Sequence, residues 1–390
     1  MKIIFIAHPL FLGSHSMARF ANMLANGMAI RGHQTEIWRP KAVFSKIPVK
    51  KLKKWLGYID QYIVFPLVLK RRMKLEKNKV LYVLTDHALG PYVPLTSDKP
   101  HVIHCHDFLA QRSALGEIPE NVTSLSGKLY QAYIRNGYTK GNNFISVSEK
   151  TRTELKDFLT EQPEVSEMVY NGLSNAFKPG SIEEARVKLG LEFNLNLSKG
   201  YILHVGGNQW YKNRVGVIEV YTKWRKDYHT PLPLLLIGES PSAELTSMKD
   251  RSEFGEDIYF FSEIKDETVR LAYSGASVFL FPSIAEGFGW PIAEAMASGT
   301  PVVTTNAVPM TEVAGEAAYF IEPKPITATL IPQWAFEAAF TINKVLSLSE
   351  NDRKKVVNDG IENSKRFNEK TSLDEIETIY KEIFSRTSRD

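Results

Sequence analysis

The sequence has one cysteine, Cys105, in 390 residues. An internal disulfide is thereby excluded, and so are most cysteine-rich metal sites. His104 and His106 flank Cys105. In a strand, successive side chains alternate between faces, so His-Cys-His is a poor zinc triad and Cys105 reads as a packed core residue. No metal ligand set is assigned. No run reaches the 18 or more apolar residues of a membrane span. The opening MKIIFIAHPL has one lysine and an apolar run broken at His8-Pro9. It reads as a first strand rather than a signal peptide, and a cytoplasmic enzyme is the expectation. The net charge is only +4. A complete G-x-G-x-x-G is also missing, which weakens any reading as a nicotinamide-dependent oxidoreductase. No internal repeat and no low-complexity tract is present beyond two similar α/β halves.

What is present is a chain long enough for two α/β domains, with 43% hydrophobic and 24% charged residues. Its most informative stretch begins with the apolar run Val278 to Phe281. Glu286-Gly287-Phe288-Gly289-Trp290-Pro291 follows, then the helix formers Ala293 to Ala297, a stop at Gly299 and a strand over Pro301 to Thr305. A strand, a glycine turn and a helix start let a backbone approach an anion, with free N–H groups and the positive helix end directed at it. Glu286 and Glu294 flank that helix start with seven residues between them. Carboxylates there suit sugar hydroxyls better than phosphate. Taken singly, each glutamate is as well explained by a turn cap or a solvated helix charge.

Earlier in the second half, Tyr201 to Val205 reads as a strand ending in Gly206-Gly207-Asn208-Gln209-Trp210-Tyr211-Lys212-Asn213-Arg214, with a helix to about Trp224. Glycines and cations together after a strand point to a diphosphate. Leu234 to Ile237 with Gly238, and Ile258 to Phe261, are further strands.

The first half opens as strand, glycine loop, helix, strand: Lys2 to Ala7, a loop carrying Gly13, Met17 to Ile30, and Gln34 to Trp38. Gly13 lets a backbone come close to a ligand and serves equally as a plain turn glycine. Val80 to Leu84, Val102 to Cys105, Asn143 to Val147 and Val165 to Val169 are the next strands. His106-Asp107 stands at a strand end, where an open parallel sheet places its ligand loops.

Residues 41–77 hold 11 Lys and Arg against 2 acids, a net of +9, so the rest of the chain sums to −5. Leu52, Trp55, Leu56, Ile59 and Ile63 recur at helical spacing beside Lys50, Lys51, Lys53 and Lys54. Such a segment can lie on an anionic membrane surface or hold an anionic acceptor. A core-packed helix with solvated lysines is the plainer reading. Nucleic acid is disfavoured, since no reader motif accompanies the charge.

The string EGFGWPIAEAMASGTPVV resembles the donor-site motif of family 4 glycosyltransferases. The resemblance extends over nearly the whole chain but is specific only in Gly206–Arg214 and Ser283–Thr305. It implies the GT-B fold: an N-terminal Rossmann-like acceptor domain over 1–175, a C-terminal nucleotide-sugar domain over 176–370, a cleft between them, and a last helix, 371–390, crossing back. It implies transfer of a hexose from a nucleoside diphosphate sugar to a glycan or lipid-linked acceptor, with retention and without cofactor or metal.

Carried over residue by residue, Glu286 meets the donor hexose and Glu294 the ribose. Backbone groups of Gly287, Phe288, Gly289 and Trp290 meet sugar and phosphate. Gly206, Gly207, Asn208, Gly238 and Ile264 belong to the diphosphate and base pocket. Lys212 stabilises the leaving diphosphate. Tyr211 stands where many members have an arginine, and Arg214 is taken as its substitute. His106, with Asp107 on the acceptor side, is the base candidate beside the leaving phosphate itself. A non-catalytic nucleotide-sugar-binding subunit and a GT-B phosphorylase or epimerase are the alternatives. The acceptor expected is a bacterial-type surface polysaccharide or glycolipid precursor.

Overall fold

The computed structural model describes residues 1–12, 15–48 and 52–386. Gly13, Lys50 and Lys51 therefore lie outside the described residues. The chain divides into two units, one of residues 1–170 with 370–390 and the other of residues 171–369.

In the first unit six strands form one parallel sheet: β1 (Lys2–Ile6), β2 (Gln34–Trp38), β3 (Val80–Leu84), β4 (His101–Cys105), β5 (Asn143–Ser146) and β6 (Val165–Met168). Their order is β2-β1-β3-β4-β5-β6. β3 and β4 are buried at every position. A parallel sheet is covered on both faces, which is why its strands read as near-continuous apolar runs and not as alternations. One face holds Ile4, Ile6, Leu84, Cys105 and Phe108. The other holds Ile3, Phe5, Phe20, Leu24 and Met28 together with Leu373, Ile376, Ile379, Tyr380 and Ile383. Those last five lie on the terminal helix Glu369–Arg386, spaced to form one apolar face. Arg31 ties that helix down through Asp374, 2.6 Å away.

The basic segment departs from its expected pattern. It is helical over Lys53–Ile59, a π turn over Asp60–Val64, and helical again over Phe65–Leu75. The N–H of Phe65 bonds the carbonyl of Asp60, five residues back. Pro66 follows in the next turn, lacks an N–H and crowds the carbonyl four residues before it, a recognised cause of such bulges. The extra residue rotates the face. Gly57, Asp60, Gln61, Phe65 and Leu69 turn inward, while Trp55 is 61% exposed and Leu52 and Ile63 are exposed with it. Asp60 is 0% exposed. Its carboxylate accepts the N–H groups of Val43, Phe44 and Ser45 and the hydroxyl of Ser45, at 2.6 to 3.1 Å. One of the two acids in this basic window is thus a structural anchor for the loop before it.

The second unit repeats the plan with β7 (Ile202–Gly206), β8 (Leu234–Gly238), β9 (Ile258–Ser262), β10 (Val278–Phe281), β11 (Val302–Thr305) and β12 (Tyr319–Ile321). The order is β12-β11-β10-β7-β8-β9, again parallel. β12 is a three-residue edge strand, too short to stand out as an apolar run. Its neighbouring core is built from Val217, Trp224, Leu234, Leu280 and Ile342.

Each sheet reverses its winding once. In the first unit β1 lies between β2 and β3, and in the second β7 lies between β8 and β10. In open α/β sheets the loops beyond the carboxyl ends of the strands at such a reversal diverge and leave a crevice for ligands. The loops after β7 and β10, and those after β1 and β3, are therefore the places where a site is expected.

Candidate functional site

The loops after β7 and β10 are sewn together. The N–H of Ile284 bonds the carbonyl of Tyr211 at 2.7 Å. Asn213 donates its side-chain N–H to the carbonyl of Pro282 at 2.9 Å and accepts the N–H of Gly216, capping the helix Arg214–Tyr228. Asn213 has a φ of +53°, a left-handed conformation that asparagine tolerates.

Across this seam Lys212 reaches Glu286. Its Nζ lies 2.8 and 3.0 Å from the two carboxylate oxygens. Glu286 is buried, so each charge depends on the other. The lysine also stands 5.3 Å from the ring centre of Phe281. The two residues are 74 positions apart in sequence and come from different strand ends.

Arg214 is the first residue of its helix and only 3% exposed. Its Nη1 donates to Asn208 Oδ1 at 2.5 Å and to the carbonyl of Glu239 at 2.9 Å. Its Nε and Nη2 have no hydrogen-bond partner among the described residues. Burial lowers its pKa from the usual value, against the pull of Glu239.

Beneath the glycine turn lies His204, which the sequence reading did not single out. Its Nδ1 donates to the carbonyl of Leu280 at 3.0 Å, and its buried Nε2 has no partner among the described residues. Burial is the main reason its pKa is pushed down to about 3; Arg214 and Lys212 push the same way. The ring is neutral, and a Cβ on Gly206 would come within 2.9 Å of Nε2. Gly238, at the end of β8 with a φ of +147°, faces Gly206 so closely that a Cβ would stand 2.0 Å from the carbonyl oxygen of Gly206. Neither glycine has room for a side chain.

The anion position of the glycine loop is already engaged. The N–H of Asn208 donates to Glu239 Oε2 and the side chain of Gln209 to Glu239 Oε1, both at 3.0 Å. Gly207, Gly238, Glu239, Ser262 and Glu263 line an open pocket beside this loop. Ile264 is half-buried next to Glu263 and does not line that pocket.

Glu294 lies in the helix Trp290–Ala297, buried, and accepts the hydroxyl of Tyr273 at 2.9 Å. The helix is entered through Gly289, whose φ of +103° requires glycine. Gly287 precedes this turn. Phe288 turns inward, edge-on to Phe367 at 5.3 Å, which leaves its backbone as the part available to a ligand. Trp290 opens the helix.

In the first unit His106 follows β4. Its Nε2 donates to the carbonyl of Thr85 at 3.0 Å, and its ring meets Phe20 edge-on at 4.5 Å. Burial lowers its pKa, though Asp86 and that hydrogen bond oppose the shift. Asp107 accepts the N–H of Leu109 at 3.0 Å. Cys105 is fully buried in the core.

Two family descriptions match the chain. "Glycosyltransferase Family 4" covers residues 17–176, and "Glycosyl transferases group 1" covers residues 191–362. The chain belongs to the family 4 glycosyltransferases. Its fold is that of GT-B enzymes. Sucrose-phosphate synthase from Thermosynechococcus elongatus matches with a TM-score of 0.76 and 16% identity, over 99% of this chain and 100% of that one. HepE from Anabaena, solved in complex with UDP and glucose, matches with a TM-score of 0.70 and 16% identity, over 97% and 98%.

Among curated relatives, O-antigen chain mannosyltransferase B from Escherichia coli is 32% identical over 132 residues, 33% of this chain. That match spans only about a third of the relative's own length, 35%. Glu286 and Glu294, with seven residues between them, are both buried at one strand reversal.

Proposed function

We propose that this glycosyltransferase moves a hexosyl group from a nucleoside diphosphate sugar to a hydroxyl of a glycan or lipid-linked glycan, with retention of configuration. The bond from the anomeric carbon to the β-phosphate oxygen breaks, and the nucleoside diphosphate leaves with the electron pair. The acceptor oxygen bonds the same carbon, and its proton passes to the leaving phosphate or to His106. The observation that carries this reading is the Lys212–Glu286 pair beside the half-unpartnered Arg214, at the strand reversal of the second unit. Two cations and a glycine turn suit the charge that develops on a departing diphosphate. Glu239, now on the loop N–H groups, has to move aside for the phosphate. With cations and a helix end in that role, we assign no metal to the reaction.

Mannose is the first sugar to try, because the relative from Escherichia coli is an O-antigen mannosyltransferase. The test is thermal shift with UDP, GDP, ADP and their sugar conjugates, with NADH as the control, followed by turnover of the conjugates that bind. Ligand at about 100 times its dissociation constant should stabilise by roughly 2.7 kcal/mol. One nucleoside diphosphate should shift the melt, and turnover of its sugar conjugate should survive EDTA. A shift with NADH alone, or with nothing, sinks the reading. Binding without turnover would instead favour a non-catalytic nucleotide-sugar-binding subunit.

The first unit also presents a surface suited to an anionic membrane. Tyr58 stacks on Tyr130 at 5.5 Å, setting the helix Lys53–Ile59 beside the helix Leu125–Tyr138. Trp55, Leu125 and Leu129 are exposed on these helices and Ile63 on the π turn that follows the first; Lys53, Lys54 and Lys128 on the same helices, and Lys70 and Arg71 on the helix Phe65–Leu75, are exposed too. Apolar side chains ringed by cations bind such surfaces. No helix among the described residues is long and apolar enough to cross a membrane; the association we propose is peripheral, at the cytoplasmic face. Reversing Lys53, Lys54, Lys70 and Arg71 to glutamate should abolish sedimentation with phosphatidylglycerol-containing vesicles at low salt. Unchanged sedimentation would remove the membrane from the proposal.

A further inference from the structure

The strand reversal of the first unit carries a cluster of its own that the reading above does not use. β1 and β3 are neighbours on either side of the reversal. The chain after β1 presents His8, and the chain after β3 presents Asp86 and His87. His8 Nε2 lies 2.8 Å from Asp86 Oδ2. Asp86 Oδ1 accepts the N–H of Ala88 at 3.1 Å and lies 3.0 Å from His87 Nδ1.

The charges in this cluster are assigned by their neighbours. Burial alone would raise the Asp86 pKa, but the His87 charge and the bond from His8 hold it well below the usual carboxylate range. Burial would lower that of His87, yet Asp86, with Asp107 adding to it, raises it. Asp86 is therefore held toward its anionic form, with the His87 imidazole 3.0 Å away. A carboxylate needed only to cap the short helix His87–Leu95 is complete with the Ala88 N–H. The bond to His8 adds nothing to that cap. What it does is fix the imidazole of His8, as a carboxylate fixes a working histidine elsewhere.

In the tautomer that gives Nε2–H to Asp86, Nδ1 carries a lone pair. No described residue bonds that nitrogen, and the His8 side chain is 18% exposed, so a ligand can reach it. His106 reaches the same edge from β4, bonded to the carbonyl of Thr85, the residue before Asp86. The open Nδ1 of His8 suits a neutral donor, and a sugar hydroxyl is the donor that the reaction supplies.

We propose that His8, positioned by Asp86, accepts a hydrogen bond from a hydroxyl of the acceptor sugar. This rests on the transferase reading above. Its test uses the full chain, the sugar conjugate found to turn over, and methyl α-mannoside and methyl α-glucoside as acceptors. Donor consumption should rise with at least one glycoside. His8→Ala should raise the acceptor KM roughly tenfold, the equivalent of one hydrogen bond to an oriented polar group. Donor affinity, donor hydrolysis and melting temperature should stay as in wild type. His8→Gln, which can accept through Oε1, should recover most of the loss. Asp86→Asn should raise the same KM with little change in donor affinity.

An acceptor KM unmoved by His8→Ala overturns the proposal. So does equal loss of donor affinity, or a wild-type rate that no glycoside alters. Failure of the transferase reading looks different: the wild-type chain then consumes no donor at all.

Discussion

Lys212→Ala should lower kcat/KM for sugar transfer by about 10² to 10³, the loss seen when a donor aimed at developing charge is removed. Lys212 is held 2.8 Å from Glu286, so the substitution acts twice. In the resting protein it strands a buried carboxylate, which costs several kcal/mol when a partner is deleted. In the proposed reaction it removes a cation from the leaving diphosphate. The two effects separate in measurement. Glu286→Gln together with Lys212→Ala relieves the stranded charge, so the double variant should melt above the Lys212→Ala single variant and remain as slow. Rates come from steady-state donor consumption, and melting from calorimetry. A single variant within threefold of wild type would remove Lys212 from the chemistry. Recovery of rate in the double variant would show that the loss was one of folding alone.

The second large effect is structural. Gly90→Ala should destabilise the first unit by about 3 kcal/mol or more, the upper range for overpacking. Gly90 lies in the short helix His87–Leu95 and Gly137 in the helix Leu125–Tyr138. A Cβ on Gly90 would stand 2.2 Å from the carbonyl oxygen of Ile134 and 2.9 Å from the nitrogen of Tyr138. A Cβ on Gly137 would stand 2.2 Å from the carbonyl oxygen of Gly90. Every atom in the way is backbone, so no side chain can rotate aside and the helices must part. Gly57→Ala is the contrast. Its Cβ would meet only a ring carbon of Phe11 at 3.5 Å, and alanine in that helix should stabilise by about 0.5–1 kcal/mol. If calorimetry finds the two substitutions alike, close backbone approach is not what holds these helices together.

The two halves of the site differ in how far their residues could be read. Gly289, Trp290 and Glu294 follow one another on a strand, a turn and a helix, so local rules place them. Lys212 could be named from its loop. Its pairing with Glu286, 74 positions away, could not. Arg214 was read as a cation for phosphate; its burial and its two unpartnered groups depend on Asn208 and Glu239, brought by another loop. His204 looked like one more strand residue, because an orphaned Nε2 is a property of its neighbours. In the basic segment the apolar spacing named Leu52, Trp55 and Ile63 as one stripe. The π turn at Asp60–Val64 put a different face inward and left those three exposed.

The sequence by itself determined the layers. Of the twelve strands among the described residues, eleven could be read from the sequence, the central ones such as β3 and β10 because strands buried on both faces are apolar runs. It also determined the family, because the glutamate motif is contiguous. The tertiary structure alone decided which polar groups face one another: Lys212 with Glu286, His8 with Asp86, and Glu239 with the glycine loop. The reason is physical. A strand or a helix start is encoded over a few neighbouring residues, whereas a side-chain pair between strand ends is fixed by the order in which strands lie side by side. That order places residues 74 or 78 positions apart within hydrogen-bond reach.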